Sequence, residues 1–148
     1  MSNIDIKTLL RQAELARKRM LRPRFLDIGL TVGQGQPRIL QNLLEYGPQT
    51  QKELADHCFL DVTTMSRTLD RMEAAGLLER EDHPGSRRSY LICLTDLGRE
   101  KAGQVMEIFQ QANQIMLAGI PDEEAEQFCI TLEKILKNIQ KETDGEAL

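Results

Sequence analysis

Thr63, Thr64, Ser66, Arg67 and Arg71 fall within one short stretch, and all of them lie off the apolar spacing Val62, Met65, Leu69, Met72. Short hydroxyls and planar guanidinium groups on one helix face suit the reading of base edges and the gripping of phosphates. The same pattern also describes a plain solvated helix face. A second group, Arg87 and Arg88, follows the turn His83-Pro84-Gly85-Ser86. Arginines there can enter a narrow minor groove or bridge phosphates, or simply keep a hairpin soluble. His57-Cys58, His83 and Cys93 invite a metal or thiol reading, yet no Cys-x-x-Cys or His-x-x-x-His spacing occurs. Cys58 and Cys93 sit where apolar packing is expected, so they read as core cysteines, and no metal or cofactor is expected.

Catalytic patterns are missing as well. The sequence has no Gly-rich phosphate loop, no Gly-x-Ser-x-Gly and no histidine beside a nucleophile and a carboxylate, so an enzyme is not expected. At 148 residues with 41% apolar content, one domain with an adequate core is the prior. The longest apolar run, Ile115 to Ile120, is far short of the roughly 18–20 residues of a membrane span. The first residues are polar and helix-like, without an apolar leader core, so a cytoplasmic protein is expected. Three scattered cysteines, Cys58, Cys93 and Cys129, argue against a disulfide framework.

The net charge of −4 hides an asymmetry. Residues 1–24 carry seven cations against Asp5 and Glu14, a net of +5, whereas residues 119–148 carry three lysines against eight carboxylates, a net of −5. Because fields act locally, an acidic total leaves room for a positive docking face.

These side chains need elements to hold them. Ile6, Leu9, Leu10, Ala13, Ala16, Met20 and Leu21 predict an amphipathic helix ending near Arg22, before Pro23. A connector through Gly29, Gly33 and Gly35 leads to a short helix opened by Pro37, carrying Ile39, Leu40, Leu43 and Leu44, and stopped by Gly47-Pro48. Thr50-Gln51-Lys52-Glu53 is a capping-box pattern that opens a two-turn helix with Leu54, Ala55 and Cys58. After a break at Phe59, Leu60 and Asp61, a further helix is expected to bury Val62, Met65, Leu69 and Met72 and to close at Gly76. Two short helices joined this tightly predict a helix-turn-helix. Leu77–Glu81 and Ser89–Leu94 predict paired strands around a Pro84-Gly85 turn, with Tyr90, Ile92 and Leu94 on one face: a wing. Thr95–Leu117 is a long helix with a seam of Ala102, Val105, Phe109, Ala112 and Met116. Pro121 opens a last helix with Ala125, Phe128, Leu132, Ile135, Leu136 and Ile139 on its apolar face, and the tail from Thr143 is expected to fray. The fold class is mainly α with a small β-hairpin wing.

In this order the residues resemble the MarR (multiple antibiotic resistance regulator) family of winged helix-turn-helix transcription factors. The resemblance rests on Thr50-Gln51-x-Glu53-Leu54-Ala55, on Met65-Ser66-Arg67-x-Leu69-Asp70-Arg71-Met72-Glu73-x-x-Gly76-Leu77-Leu78-x-Arg80, and on Ser86-Arg87-Arg88 followed by Leu94-Thr95-x-x-Gly98. It covers about residues 36–100 in detail, and the flanking helices fit the family's dimerisation region in number and order. The family's wing usually reads Asp-x-Arg, and here Ser86 replaces the Asp while Arg88 keeps the Arg position. Asp61 is a candidate substitute partner for Arg88.

The resemblance implies one MarR-like domain over residues 1–148, with a DNA-binding lobe at 34–95 and dimerisation helices at 1–22 and 100–142. It implies a cytoplasmic homodimer that binds a pseudo-palindromic site on double-stranded DNA, acts as a repressor and answers to a possible small-molecule effector. DNA contacts are expected from Thr63, Thr64, Ser66, Arg67, Arg71, Arg87 and Arg88, and a dimer seam from Leu9, Leu10, Phe128, Leu132, Ile135 and Ile139. Met20, Arg24, Phe25, Leu43 and Met106 are candidates for an effector pocket. Two alternatives stay open at this point: a winged-helix protein-interaction module without DNA binding, and a thiol-based redox regulator.

Overall fold

A computed structural model describes residues 5–31, 35–85 and 89–146. Its elements are α1 (Ile6–Asp27), α2 (Gln36–Tyr46), β1 (Gln49–Thr50), α3 (Gln51–Cys58), α4 (Val62–Ala74), β2 (Leu78–Asp82), β3 (Tyr90–Leu94), α5 (Asp96–Met116) and α6 (Asp122–Glu146). They group into two compact units, Met1–Ala112 and Asn113–Leu148.

In the first unit, Asp5 caps α1 by accepting the Thr8 N–H at 3.0 Å. The expected stop before Pro23 does not occur, and α1 runs on to Asp27 with Pro23 inside it. A proline within a helix costs about 3 kcal/mol, but burying two large apolar side chains returns about 1.5–3 kcal/mol each. Leu21 and Phe25, one turn apart and each 3% exposed, supply that burial. The Phe25 ring meets Phe109 of α5 edge-on, with centroids 5.4 Å apart.

Pro37 opens α2, which ends at Gly47 with φ 76°. Gln49 and Thr50 then form a short strand that the sequence did not announce. It pairs antiparallel with β3 (Gln49 opposite Ile92, Thr50 opposite Leu91), giving a three-stranded sheet in the order β1-β3-β2. The pairing of β2 with β3 runs from Leu78 opposite Leu94 out to Asp82 opposite Tyr90. Ile92 is buried and Leu94 packs on the core, while Tyr90, at the far end of the wing, is exposed. At the hairpin turn Gly85 takes φ 99°, the conformation its position required.

The Thr50 hydroxyl accepts the Glu53 N–H at 3.2 Å and starts α3. At the end of α4, Gly76 (φ 77°) lets its own N–H reach the Glu73 carbonyl and the Leu77 N–H reach the Met72 carbonyl, both at 3.0 Å. This is a Schellman cap, and it turns the chain straight into the wing. Thr95 closes the unit. Its backbone N–H and its hydroxyl donate to the Leu77 and Gly76 carbonyls, while the hydroxyl oxygen accepts the Gly98 N–H. The core joins Ile39, Leu40, Leu54, Met65, Leu69, Met72, Leu78, Ala102 and Val105 with Leu21 and Phe25 of α1.

In the second unit, Gly119 (φ 77°) reverses the chain and α6 follows. The helix continues past Thr143 to Glu146 instead of fraying there. The Thr143 hydroxyl donates to the Ile139 carbonyl at 3.2 Å, which spends its polar group within the helix. Phe128, Ile130, Leu136 and Ile139 are exposed, while Leu132 and Ile135 are half-buried.

Candidate nucleic-acid interface and adjacent cleft

α4 is built to turn two unlike faces outward and inward. Met65, Thr68, Leu69 and Met72 are buried and fasten it to the core. Thr63, Arg67 and Arg71 are exposed, and Thr64 and Ser66 are half-buried. Thr63, Thr64, Arg67, Thr68 and Arg71 line a hollow of about 250 Å³ on this helix. Five of the residues expected to meet DNA are thus displayed along one short helix. Val62 corrects the expected core stripe: it is 66% exposed, whereas Thr68 is 1% exposed. Val62 is the first residue of α4 and lies at the edge of the arc centred on Met65 and Met72, where the core no longer covers it.

The start of α4 is tightly capped. The Asp61 carboxylate accepts the Thr64 N–H and the Thr64 hydroxyl, both at 2.8 Å. These bonds from Thr64, backbone first, hold the Asp61 carboxyl below its ordinary range, so it is an anion at neutral pH. The other end of the helix is tied to the wing by Arg80 of β2, whose guanidinium reaches Asp70 at 3.0 Å and Glu73 at 3.2 Å. Asp70, Glu73 and Arg80 belong to the motif of α4 and β2, but their joint role has no sign in their spacing and appears only when β2 folds back along α4. Arg87 and Arg88, with Ser86, lie outside the described residues, as does any pairing of Arg88 with Asp61.

Below the helix-turn-helix, Gln49 is 3% exposed and forms a polar joint. Its amide nitrogen donates to Asn42 Oδ1 at 3.2 Å and to the Gly47 carbonyl at 3.3 Å, and its oxygen lies 2.6 Å from His57 Nδ1. Cys58 is fully buried, and burial pushes its thiol up to about 11 against the opposing charge of Arg38. Burial raises the Cys93 thiol as well, reinforced by Glu81 and Glu79. A reactive thiolate needs exposure and a depressed pKa, and these two sulfurs have neither. Cys129 of α6 is exposed. Among the described residues no group of three or more His, Cys, Asp or Glu is placed to hold a metal ion, and no helix is long and apolar enough to cross a membrane.

A cleft of about 220 Å³ opens in the first unit, lined by Glu14, Arg17, Lys18, Leu21 and Phe25 of α1, by Gly35, Pro37, Arg38 and Leu60, and by Phe109 of α5. Its walls are part aromatic and part cationic. Arg17 lies 5.7 Å from the Phe109 ring centre, Glu14 is 4.0 Å from Arg17 and 3.9 Å from Lys18, and Arg38 donates to the Cys58 carbonyl at 3.1 Å. Of the five residues expected around an effector, Phe25 lines this cleft. Met20, Arg24 and Met106 are half-buried outside its lining, and Leu43 is buried in the core. The difference on α1 is one of phase. Leu21 and Phe25 share a face with Glu14, Arg17 and Lys18, while Met20 and Arg24 are one residue out of step. The i, i+3, i+4 spacing of Glu14, Arg17 and Lys18 was a readable sign of a common face; that Phe109 lies opposite is a tertiary fact.

Leu9 and Leu10 of α1 and Phe128 and Ile139 of α6 are exposed, at 60%, 42%, 62% and 58%.

A model of the MarR family matches residues 33–90. HTH-type transcriptional regulator YxaD of Bacillus subtilis (strain 168) is 35% identical over 103 residues, 67% of this chain and 69% of that protein. Among solved structures, a MarR family transcriptional regulator from Listeria monocytogenes complexed with 26mer DNA superposes with a TM-score of 0.84 at 22% identity, over 94% of this chain and 91% of that one. BpsR of Bordetella bronchiseptica, whose structure addresses regulation of its DNA binding by 6-hydroxynicotinic acid, superposes with a TM-score of 0.79 at 23% identity, over 91% and 95%. By its winged-helix architecture, its patterned α4 helix and these matches, the chain belongs to the MarR family of transcriptional regulators.

Proposed function

We propose that the protein is a cytoplasmic homodimeric repressor that docks paired α4 helices into a pseudo-palindromic operator and is released by a small-molecule effector. The observation that carries this reading is the division of α4. Thr63, Ser66, Arg67 and Arg71 stand clear of a fully buried stripe, within a fold whose Listeria relative is complexed with 26mer DNA. One recognition helix gives little affinity, whereas a two-fold dimer reads two half-sites about 34 Å apart. Leu9, Leu10, Phe128 and Ile139 are exposed, with Leu132 and Ile135 half-buried, and these residues supply apolar surface for that dimer.

The cleft supports the effector. Phe25, Phe109, Leu21 and Leu60 offer an apolar bed, and Arg17 and Lys18 outweigh Glu14 in charge, which suits a small aromatic anion. A ligand there would bias the spacing of the two α4 helices, and a misplaced half-site releases DNA. BpsR, regulated by an aromatic acid, lends this reading a precedent.

The test is selection of bound duplexes from a random pool at about 150 mM salt, where phosphate contacts alone bind weakly, together with the mass of the protein in solution. An enriched inverted repeat and a dimer mass are expected. A stable dimer that enriches nothing would overturn the reading in favour of a protein-binding winged helix.

A further inference from the structure

Val62 is an apolar residue that the fold does not use. It is 66% exposed, although Met65, Leu69 and Met72 of the same helix are wholly buried. A β-branched residue at an exposed helix position gains no packing and slightly disfavours the helix. Its place is nonetheless specific, because it is the first residue of α4 and the N-terminal residues of a recognition helix are those that approach base edges.

The polar neighbours restrict which base edge fits. The Thr64 hydroxyl has one proton and spends it on Asp61, so towards a ligand it can only accept. Asp61 is an acceptor too. Guanidinium donors begin only at Arg67, more than a turn further on. The exposed Thr63 hydroxyl can donate or accept, and the rest of the tip, Asp61, Val62 and Thr64, presents acceptors and methyl groups. A guanine edge, with its two major-groove acceptors, would face Asp61 and Thr64 unfavourably. An A·T pair offers the complement, an adenine amino donor and a thymine 5-methyl.

We infer that Val62 reads a thymine 5-methyl group in each half-site, at an A·T pair whose amino group faces Asp61 and Thr64. This rests on the reading of α4 as the groove-entering helix. Cytosine supplies the amino donor without the methyl, and 5-methylcytosine supplies both, so the methyl can be tested apart from base pairing.

The experiment takes the selected duplex and the full chain, and replaces each thymine singly with deoxyuridine. At one thymine per half-site, uracil should weaken binding about fourfold, the worth of one buried methyl-sized group. Val62→Ala should bind the unmodified duplex about fourfold more weakly per half-site and be indifferent to uracil there. Replacing that A·T pair by 5-methylcytosine paired with guanine should bind tighter than unmethylated cytosine. Should every uracil leave the wild type unchanged, or should Val62→Ala stay as sensitive as the wild type, the inference falls while DNA binding stands. Should Arg67→Ala leave affinity unchanged as well, α4 is not in the groove and both readings fall. The uracil series on the wild type is decisive even if Val62→Ala fails to fold.

Discussion

Gly98, near the start of α5, sits where the helix presses on the turn that joins α4 to the wing. An added Cβ there would lie 1.8 Å from the Leu77 carbonyl oxygen and 3.2 Å from Leu94 Cδ2. Reaching even 3.0 Å requires a retreat of about 1.2 Å in a packed interior. The obstacle is backbone, and the same Leu77 carbonyl accepts the Thr95 N–H while its N–H completes the cap of α4. A retreat would also loosen Ala102 and Val105, both wholly buried one and two turns along α5. Overpacking against side chains costs about 1–3 kcal/mol, and against backbone the upper end applies. Alanine repays about 1 kcal/mol through helix propensity. Gly98→Ala should therefore lose about 2 kcal/mol or more, lowering Tm by roughly 5 °C or more in a chain of this size. Gly103, in the same helix, has nothing within 4 Å of its would-be Cβ. Gly103→Ala should accordingly raise stability by about 0.5–1 kcal/mol. Urea and thermal unfolding of the pair give the comparison. A Gly98→Ala protein as stable as Gly103→Ala would refute the close approach.

Other substitutions test the site and its supports. Arg67→Ala and Arg71→Ala should weaken operator binding, and each that touches a phosphate should reduce the log–log salt slope by about 0.9. Arg80→Met, which unties β2 from Asp70 and Glu73, should instead weaken binding about two- to fivefold with an unchanged slope, because it misplaces contacts without removing a phosphate partner. Phe59 holds φ 55° while 84% exposed, so Phe59→Gly should stabilise the protein by about 0.5–1 kcal/mol; a loss in the urea midpoint would mean that the ring has a native partner. In thiol titration at mild pH, Cys129 should react at once and Cys58 only on unfolding. Because the folded Cys58 thiol lies near 11 against an ordinary 9.0, its contribution is intact below pH 9 and is lost as pH rises from there towards 11. Cys58→Val should flatten that part of the stability curve.

Features set by neighbouring residues were readable in the chain. The Pro84-Gly85 turn, the Gly76 cap, the Thr50 cap and the helix-turn-helix all depend on dihedral preferences and hydrogen bonds within a few positions. The departures depend on partners distant in sequence. Pro23 reads as a stop until Phe109, more than eighty residues on, buries Phe25 against it. β1 has no strand signature of its own because two residues hold no alternation, and its identity comes from Ile92 and Leu91 opposite. The cleft is assembled from α1, the α2 start, Leu60 and α5, so periodicity could mark the faces but not their meeting. Val62 shows the same limit from the other side. Spacing alone adds it to the stripe of Met65, Leu69 and Met72, but a stripe is buried only as far as something covers it, and among the described residues the core that covers Met65 stops short of Val62. In a helix whose other large apolar residues, Met65, Leu69 and Met72, are all wholly buried, one left outside at the leading tip contributes little to stability. Its side chain is free to be chosen by what the tip meets, which is why the uracil substitution is directed there.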